Sequence, residues 1–185
     1  RVERCNKVDS IIVATSDQES DDELASTVTK AGFKIFRGDL EDVLKRFSKC
    51  AEEEKANTVV RLTGDCPLTD PVLIDEIVGA FKEGNWDYLS NCAIEEKLCV
   101  PDGFDVEVFG ADVLKRANKE AKLLSEREHV TPWFKTAEAG LKWGHYEHKY
   151  RDHNLRLTVD DSDDLKVVRE VVKAIIKNNQ DFGVD

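Results

Sequence analysis

The stretch Thr58-Val59-Val60-Arg61-Leu62-Thr63-Gly64-Asp65-Cys66-Pro67-Leu68 decides how the chain is read. β-compatible residues run into Thr63-Gly64, a single Asp follows, and Pro67 stands two residues further on. This is the pattern of a buried strand that stops abruptly with a carboxylate at its carboxyl end. In open α/β sheets that edge is where ligands bind. A second Asp, Asp160, closes another apolar run, Leu155-Arg156-Leu157-Thr158-Val159. Two strand-end carboxylates could hold a hard cation such as Mg²⁺ against substrate phosphates.

Outward from this stretch, strands and helices alternate with short loops. Ile11 to Thr15 reads as a strand buried on both faces, and Asp21 or Asp22 as the cap of the helix that follows. Gly32 stops that helix, Phe33 to Phe36 is a second strand, and Arg37-Gly38-Asp39 turns into a helix with Val43, Leu44, Phe47, Cys50 and Ala51 on one face. Beyond Asp65, Asp70 and Pro71 open a helix striped by Ile74, Ile77, Val78 and Phe81, which Gly84 ends. Trp86 to Leu89 is a further strand. The order predicts an α/β fold with a mostly parallel sheet and helices on both faces.

The second half is less regular. It predicts a loop at Glu95 to Pro101 and a strand at Phe104 to Phe109. Helices follow at Ala111 to Leu124 and Glu126 to Ala139, then strands at Lys142 to Lys149 and Leu155 to Val159. The final helix runs from Ser162, with Leu165, Val168, Val172 and Ile175 on its buried face.

The 185 residues fit a single domain. A net charge of -11 argues against a nucleic-acid surface, and an anionic nucleotide would need metal and local basic groups to overcome it. No apolar stretch approaches the roughly 20 residues of a membrane helix, and no signal peptide opens the chain. Five scattered cysteines with no CxxC pair favour a reduced, cytoplasmic setting and a packed, unreactive Cys66. A homodimer is the assembly expected by default.

Acidic and histidine-bearing segments carry the remaining candidate chemistry. In Pro101-Asp102-Gly103-Phe104-Asp105-Val106-Glu107, Asp105 and Glu107 share a strand face that is either solvated or lines a polar pocket. In Glu126-Arg127-Glu128-His129, the i, i+3 pair of Glu126 and His129 permits a metal site that no further ligand completes. In Val159-Asp160-Asp161-Ser162-Asp163-Asp164, capping and the helix dipole explain every acid except Asp160.

Taken in order, these segments resemble the sugar cytidylyltransferases. The likeness rests on Val13-Ala14-Thr15-Ser16, Phe36-Arg37-Gly38, Asp42-Val43-Leu44-Lys45-Arg46-Phe47, Arg61 to Leu68, Pro101 to Phe109 and Arg127-Glu128-His129-Val130-Thr131-Pro132. It is strongest to the branch typified by the spore-coat polysaccharide biosynthesis protein F, related to the acylneuraminate and ketodeoxyoctonate enzymes. The resemblance implies a Rossmann-like nucleotide-diphospho-sugar transferase fold, a three-layer sandwich. It implies transfer of a cytidylyl group from CTP to an acidic sugar with release of pyrophosphate, for surface polysaccharide synthesis. It further implies Mg²⁺ on Asp65 and Asp160 as the catalytic pair, with Ala14, Thr15, Arg37 and Arg46 near the nucleotide. Asp102, Gly103, Asp105, Glu107, Glu128 and His129 fall on the sugar side.

Against that family, the Gly- and Arg-rich phosphate-gripping loop is missing. Arg1 to Ser10 resembles the segment that normally follows it, and the C-terminus also stops early. The expectation is therefore a chain truncated at its N-terminus and its C-terminus. The rival readings are a glycosyltransferase of related fold using a nucleotide-sugar, and a non-catalytic nucleotide- or sugar-binding module.

Overall fold

A computed structural model describes residues 1–92, 100–149 and 155–176. Its elements in chain order are β1 (Ile12–Ser16), α1 (Asp22–Lys30), β2 (Lys34–Gly38), α2 (Val43–Glu53), β3 (Thr58–Arg61), α3 (Pro71–Gly84) and β4 (Tyr88–Ser90). They continue with β5 (Glu107–Gly110), α4 (Ala111–Glu120), α5 (Leu124–His129), β6 (Trp143–His145) and α6 (Ser162–Ile176). β1 and β2 run parallel, with Thr15 opposite Arg37, and β3, β5, β4 and β6 form a four-stranded sheet in that order. The alternation is that of a Rossmann-like α/β chain. No helix among the described residues is long and apolar enough to cross a membrane.

The chain divides into two compact units. The first comprises Arg1–Val8, Val60–Val108 and Gly144–Asp185, and the second Asp9–Val59 and Phe109–Trp143. In the first, Leu73, Ile74, Ile77, Val78 and Phe81 of α3 pack with Leu89, Phe104, Val106, Val108 and Val168. Asp70 accepts from the Val72 N–H with Pro71 in the first turn, as the sequence predicts, and Asn85 leaves the helix in the left-handed region at φ 48°. In the second, α2 packs on α4 and α5. Phe109 meets Phe134 edge-on at 5.0 Å, while Leu44, Leu114 and Val130 are fully buried.

Several sequence-based boundaries shift for identifiable reasons. β1 is only half-buried over Ile12–Ala14, so it is not a strand covered on both faces. Asp21 precedes α1 but does not cap it, because its carboxylate is taken by Thr15 and Ser16. Glu126 to Ala139 is not one helix. α5 stops at His129, and Pro132, which cannot donate to the preceding turn, opens a separate 3₁₀ turn over Pro132–Lys135. Val130 bridges the break at φ 70°, ψ -55°, while the Thr131 N–H bonds the His129 carbonyl at 2.8 Å, a strained γ-turn. α4 ends at Glu120, the strand at 104–109 begins only at Glu107, and that at 142–149 narrows to β6. Leu155 to Val159 makes a single parallel bridge, Arg156 to Asp102, rather than a strand. In α6, Val168 is buried but Leu165 is exposed. The loop expected at 95–101 and Cys99 fall largely outside the described residues.

Candidate active site

The candidate residues fall into two groups, one in each unit. In the first unit, β3 delivers Asp65 just past its end. The segment carrying Asp160 is held to it by the Val159 N–H, which bonds the Asp65 carbonyl at 2.8 Å. Two carboxylates 95 positions apart in sequence are thereby tied to one short stretch of backbone. The neighbouring register is set at Asp102, whose N–H bonds the Leu155 carbonyl at 3.0 Å and whose carbonyl accepts from the Leu157 N–H at 2.7 Å. Gly103 makes this approach possible. It sits at φ +109°, and a Cβ there would lie 2.8 Å from the Leu157 carbonyl carbon.

Asp160 is exposed and pairs with Arg156. The same guanidinium bonds Asp164 at 3.0 Å and lies 3.7 Å from Asp102. The rest of the acidic run does the local work expected of it. Asp161 accepts from the Asp163 and Asp164 N–H groups at 2.7 and 3.0 Å. Asp164 reaches back to the Asp160 N–H at 2.9 Å. Asp160 is left out of the capping, as its sequence position implies.

Asp105 and Glu107 do not lie on a solvated face. Glu107 is buried, with one carboxylate oxygen on Arg61 and the other accepting from the Tyr88 hydroxyl at 2.8 Å. Both oxygens are thus engaged within the protein, and Glu107 ties β3, β4 and β5 together. The backbone on either side of Asp105 is held by Asn91, a buried side chain that the sequence did not single out. The Asn91 carboxamide donates to the Phe104 carbonyl at 2.9 Å and accepts from the Val106 N–H at 2.7 Å. Burial pushes the Asp105 carboxyl up to about 6, with Asp102, Glu107 and Asp65 adding to the rise and a Cys92 hydrogen bond opposing it. Burial likewise pushes the Cys66 thiol up to about 11, which fits a packed rather than a nucleophilic sulfur.

Among the described residues, no three His, Cys, Asp or Glu side chains converge to hold an ion by themselves. The donors at Asp65 and Asp160 nevertheless suit Mg²⁺. That ion takes hard oxygen ligands, and uses one or two carboxylates completed by water and substrate phosphate.

In the second unit a cavity of about 440 Å³ opens beside β2 and α2. Arg37, Lys45, Arg46 and Lys49 line it, set against Asp17, Asp39 and Glu53. Arg37 spends its guanidinium on the 16–22 loop, donating to the Ser16 carbonyl at 2.9 Å, the Gln18 carbonyl at 2.7 Å and Asp22 at 2.6 Å. It shapes the wall more than it offers free donors. Arg46 is less committed. Its Nη1 bonds the Asp39 carbonyl at 2.6 Å, while its Nε is buried without a hydrogen-bond partner. Burial lowers its pKa, and the Asp21 and Asp39 carboxylates oppose that. Gly38 lets the Arg46 stem lie close, since a Cβ there would be 3.1 Å from Arg46 Cγ.

Ala14 and Thr15 lie on β1 beside Phe36 and Arg37 but do not line the cavity. The Thr15 hydroxyl donates to Asp21 at 2.6 Å, and hydrogen bonds from Thr15 and Ser16 hold the Asp21 carboxyl down to about 2. Glu128 and His129 stand exposed at the end of α5. Glu126 is buried and accepts from the Lys122 and Leu123 N–H groups at 2.9 and 3.0 Å, so it closes the start of α5 instead of pairing with His129.

Comparison with known proteins places this geometry in a family. Residues 1–181 match the cytidylyltransferase family. The chain is 35% identical over 175 residues to an uncharacterised protein of Methanocaldococcus jannaschii, covering 94% of this chain and 70% of that protein. It is 34% identical over 166 residues to the spore coat polysaccharide biosynthesis protein SpsF of Bacillus subtilis, covering 87% of this chain and 66% of SpsF. A cytidylyltransferase structure from Leptospira borgpetersenii superposes with a TM-score of 0.82 at 27% identity, over 98% of this chain and 84% of that one. The structure of CMP:2-keto-3-deoxy-manno-octonic acid synthetase complexed with CTP superposes with a TM-score of 0.69 at 14% identity, over 94% and 85% of the two chains, a likeness of fold alone. The chain belongs to the cytidylyltransferase family, whose members are nucleotidyltransferases.

Proposed function

We propose that the protein transfers a cytidylyl group from CTP to an acidic sugar, acylneuraminate-like in its carboxylate, and releases pyrophosphate for surface polysaccharide synthesis. The observation that carries the reading is the pairing of Asp65 with the Asp160 segment through the Val159–Asp65 bond, in a chain of this family. SpsF, a relative in polysaccharide biosynthesis, supports the pathway class.

In this reading Asp65 and Asp160 would hold Mg²⁺, whose chemistry would be to offset negative charge as pyrophosphate leaves. Asp65 suits the task because no cationic side chain among the described residues is bonded to its carboxylate. The Arg61–Glu107–Tyr88 triad fixes the strands from which Asp65 and Asp105 project, so the acids keep their spacing as charge shifts. Within the second unit, Arg46, Lys45 and Lys49 supply a local positive field that suits an anionic nucleotide on a chain of net charge -11. Asp102, Gly103, Asp105, Glu128 and His129 are assigned to the sugar side. Little covalent work falls to the protein, and positioning dominates.

The test is to incubate the full chain with CTP, Mg²⁺ and a panel of acidic sugars, following pyrophosphate release and the mass of the CMP-sugar. Pyrophosphate release that depends on both CTP and sugar supports the assignment. Consumption of a nucleotide-sugar without CTP would move the protein to the glycosyltransferases. Tight CTP binding with no turnover on any acidic sugar would make it a binding module.

A further inference from the structure

We propose that Arg127 is a positioning residue for the basic cavity, acting through Asp42 to set the first turn of α2 and so the placement of Lys45 and Arg46. The inference rests on reading that cavity as part of the nucleotide site. Sequence resemblance attaches Glu128 and His129 to the sugar side and gives their neighbour Arg127 no role, yet the structure engages Arg127 with Asp42. Its Nε donates to Asp42 Oδ1 at 2.9 Å and its Nη2 to Asp42 Oδ2 at 2.7 Å, a two-pronged pair. The rest of the guanidinium is fixed by Asn118 of α4, with Nη1 on the carbonyl at 2.8 Å and Nη2 on the side-chain oxygen at 2.7 Å. The pair is largely shielded, at 18% exposure for Arg127 and 26% for Asp42.

Asp42 does a second job with the same carboxylate. Its Oδ1 accepts from the Lys45 N–H at 3.0 Å, which makes it the cap of α2. Lys45, Arg46 and Lys49 all lie on that helix and line the cavity. The direction in which Asp42 holds its carboxylate therefore decides where the first turn, and the cations on it, stand. Arg127 also cancels the Asp42 charge, which would otherwise join Asp17, Asp39 and Glu53 in opposing an anion. Behind Arg127, the buried γ-turn at Val130 fixes the end of α5, so the clamp is rigid on both sides.

Two substitutions separate the clamp from simple folding. Asp42→Asn keeps a good helix cap but gives up the ion pair. Arg127→Lys keeps the charge but cannot grip both carboxylate oxygens. The measurements are steady-state KM for CTP and for the sugar, kcat, melting temperature, and calorimetric binding of inorganic tripolyphosphate. Both variants are expected to raise the CTP KM and weaken tripolyphosphate at least about tenfold, with kcat and sugar KM within about twofold. Lys115→Ala, which removes only the surface contact to Glu52 of α2 at 3.9 Å, serves as the control and should change none of them.

Variants that lower the melting temperature but keep wild-type CTP KM and tripolyphosphate affinity would overturn the inference. Should the wild-type chain bind tripolyphosphate yet transfer no cytidylyl group, the proposed reaction falls, while loss of tripolyphosphate binding in the variants still supports the clamp. A wild-type chain that binds neither CTP nor tripolyphosphate overturns both.

Discussion

At the scale of single residues, charge placement decides the chemistry. Asp65→Asn and Asp160→Asn should each lower turnover by at least about a hundredfold at saturating Mg²⁺, the scale of losing one preorganised electrostatic contact. Pyrophosphate release measured on folded variants checks this, and near-normal rates would remove the pair from the metal site. Asp105 gives a pH signature. Its folded-state pKa of about 6 lies above the ordinary carboxylate value of 3.8, so the folded chain holds that proton more tightly than the unfolded one. Its contribution to stability is then favourable at low pH, declines between about pH 4 and 6, and becomes a full penalty of up to about 3 kcal/mol above that window. In chelator, Asp105→Asn should be more stable than wild type at pH 8 and lose that advantage below pH 4, as read from urea denaturation. The sequence already pointed to Asp65 and Asp160 as a pair of strand-end acids. What it did not show is the means of joining them, a single backbone bond between positions far apart in the chain. The same holds for Arg61 with Glu107 and Arg127 with Asp42, where any of many charges could have paired.

At the scale of elements, what is locally encoded could be read and what is packed from afar could not. α3 and α6 begin where Asp70-Pro71 and the Asp161-Ser162 step place them, because a cap and an apolar stripe are written within a few residues, whereas α2 starts past the Arg37-Gly38-Asp39 turn on an Asp42 cap that the sequence reading did not name. The end of α5 is harder to see. Val130, Trp133 and Phe134 keep helix-like spacing while the backbone has already broken, and Pro132 was the cue. The segment 155–159 is apolar enough for a strand, but it meets the 101–103 turn through one bridge, so its placement hangs on Gly103. Gly103→Ala should therefore cost on the order of 1–3 kcal/mol, from the positive φ and the contact with Leu157. The melting temperature should fall, and the Asp160 segment should show faster amide exchange than α3. An unchanged exchange pattern would place the control of that segment elsewhere.

At the scale of the whole molecule, neither compact unit is a continuous piece of chain. The backbone passes from one to the other at residues 8/9, 59/60, 108/109 and 143/144. Excising either would leave cut ends in the middle of its packing, so the units are expected to unfold together. Trp86 reports on the first and Trp133 and Trp143 on the second, so urea curves from Trp86→Phe and from the double variant Trp133→Phe/Trp143→Phe should coincide with circular dichroism. Separated midpoints would show independent unfolding. The charge balance follows a shared pattern in both units. In each unit an arginine is spent on a shielded acid, Arg61 on Glu107 and Arg127 on Asp42, while Arg37 meets Asp22 at the surface. Arg156, seated among Asp102, Asp160 and Asp164, is the instructive case. On the magnesium reading, a divalent ion reaching Asp160 meets a seat already taken by a tethered cation. Loading is then an ion exchange, in which metal affinity is the difference between two attractions. The evicted guanidinium becomes a mobile counter-charge, freed only when the metal has arrived.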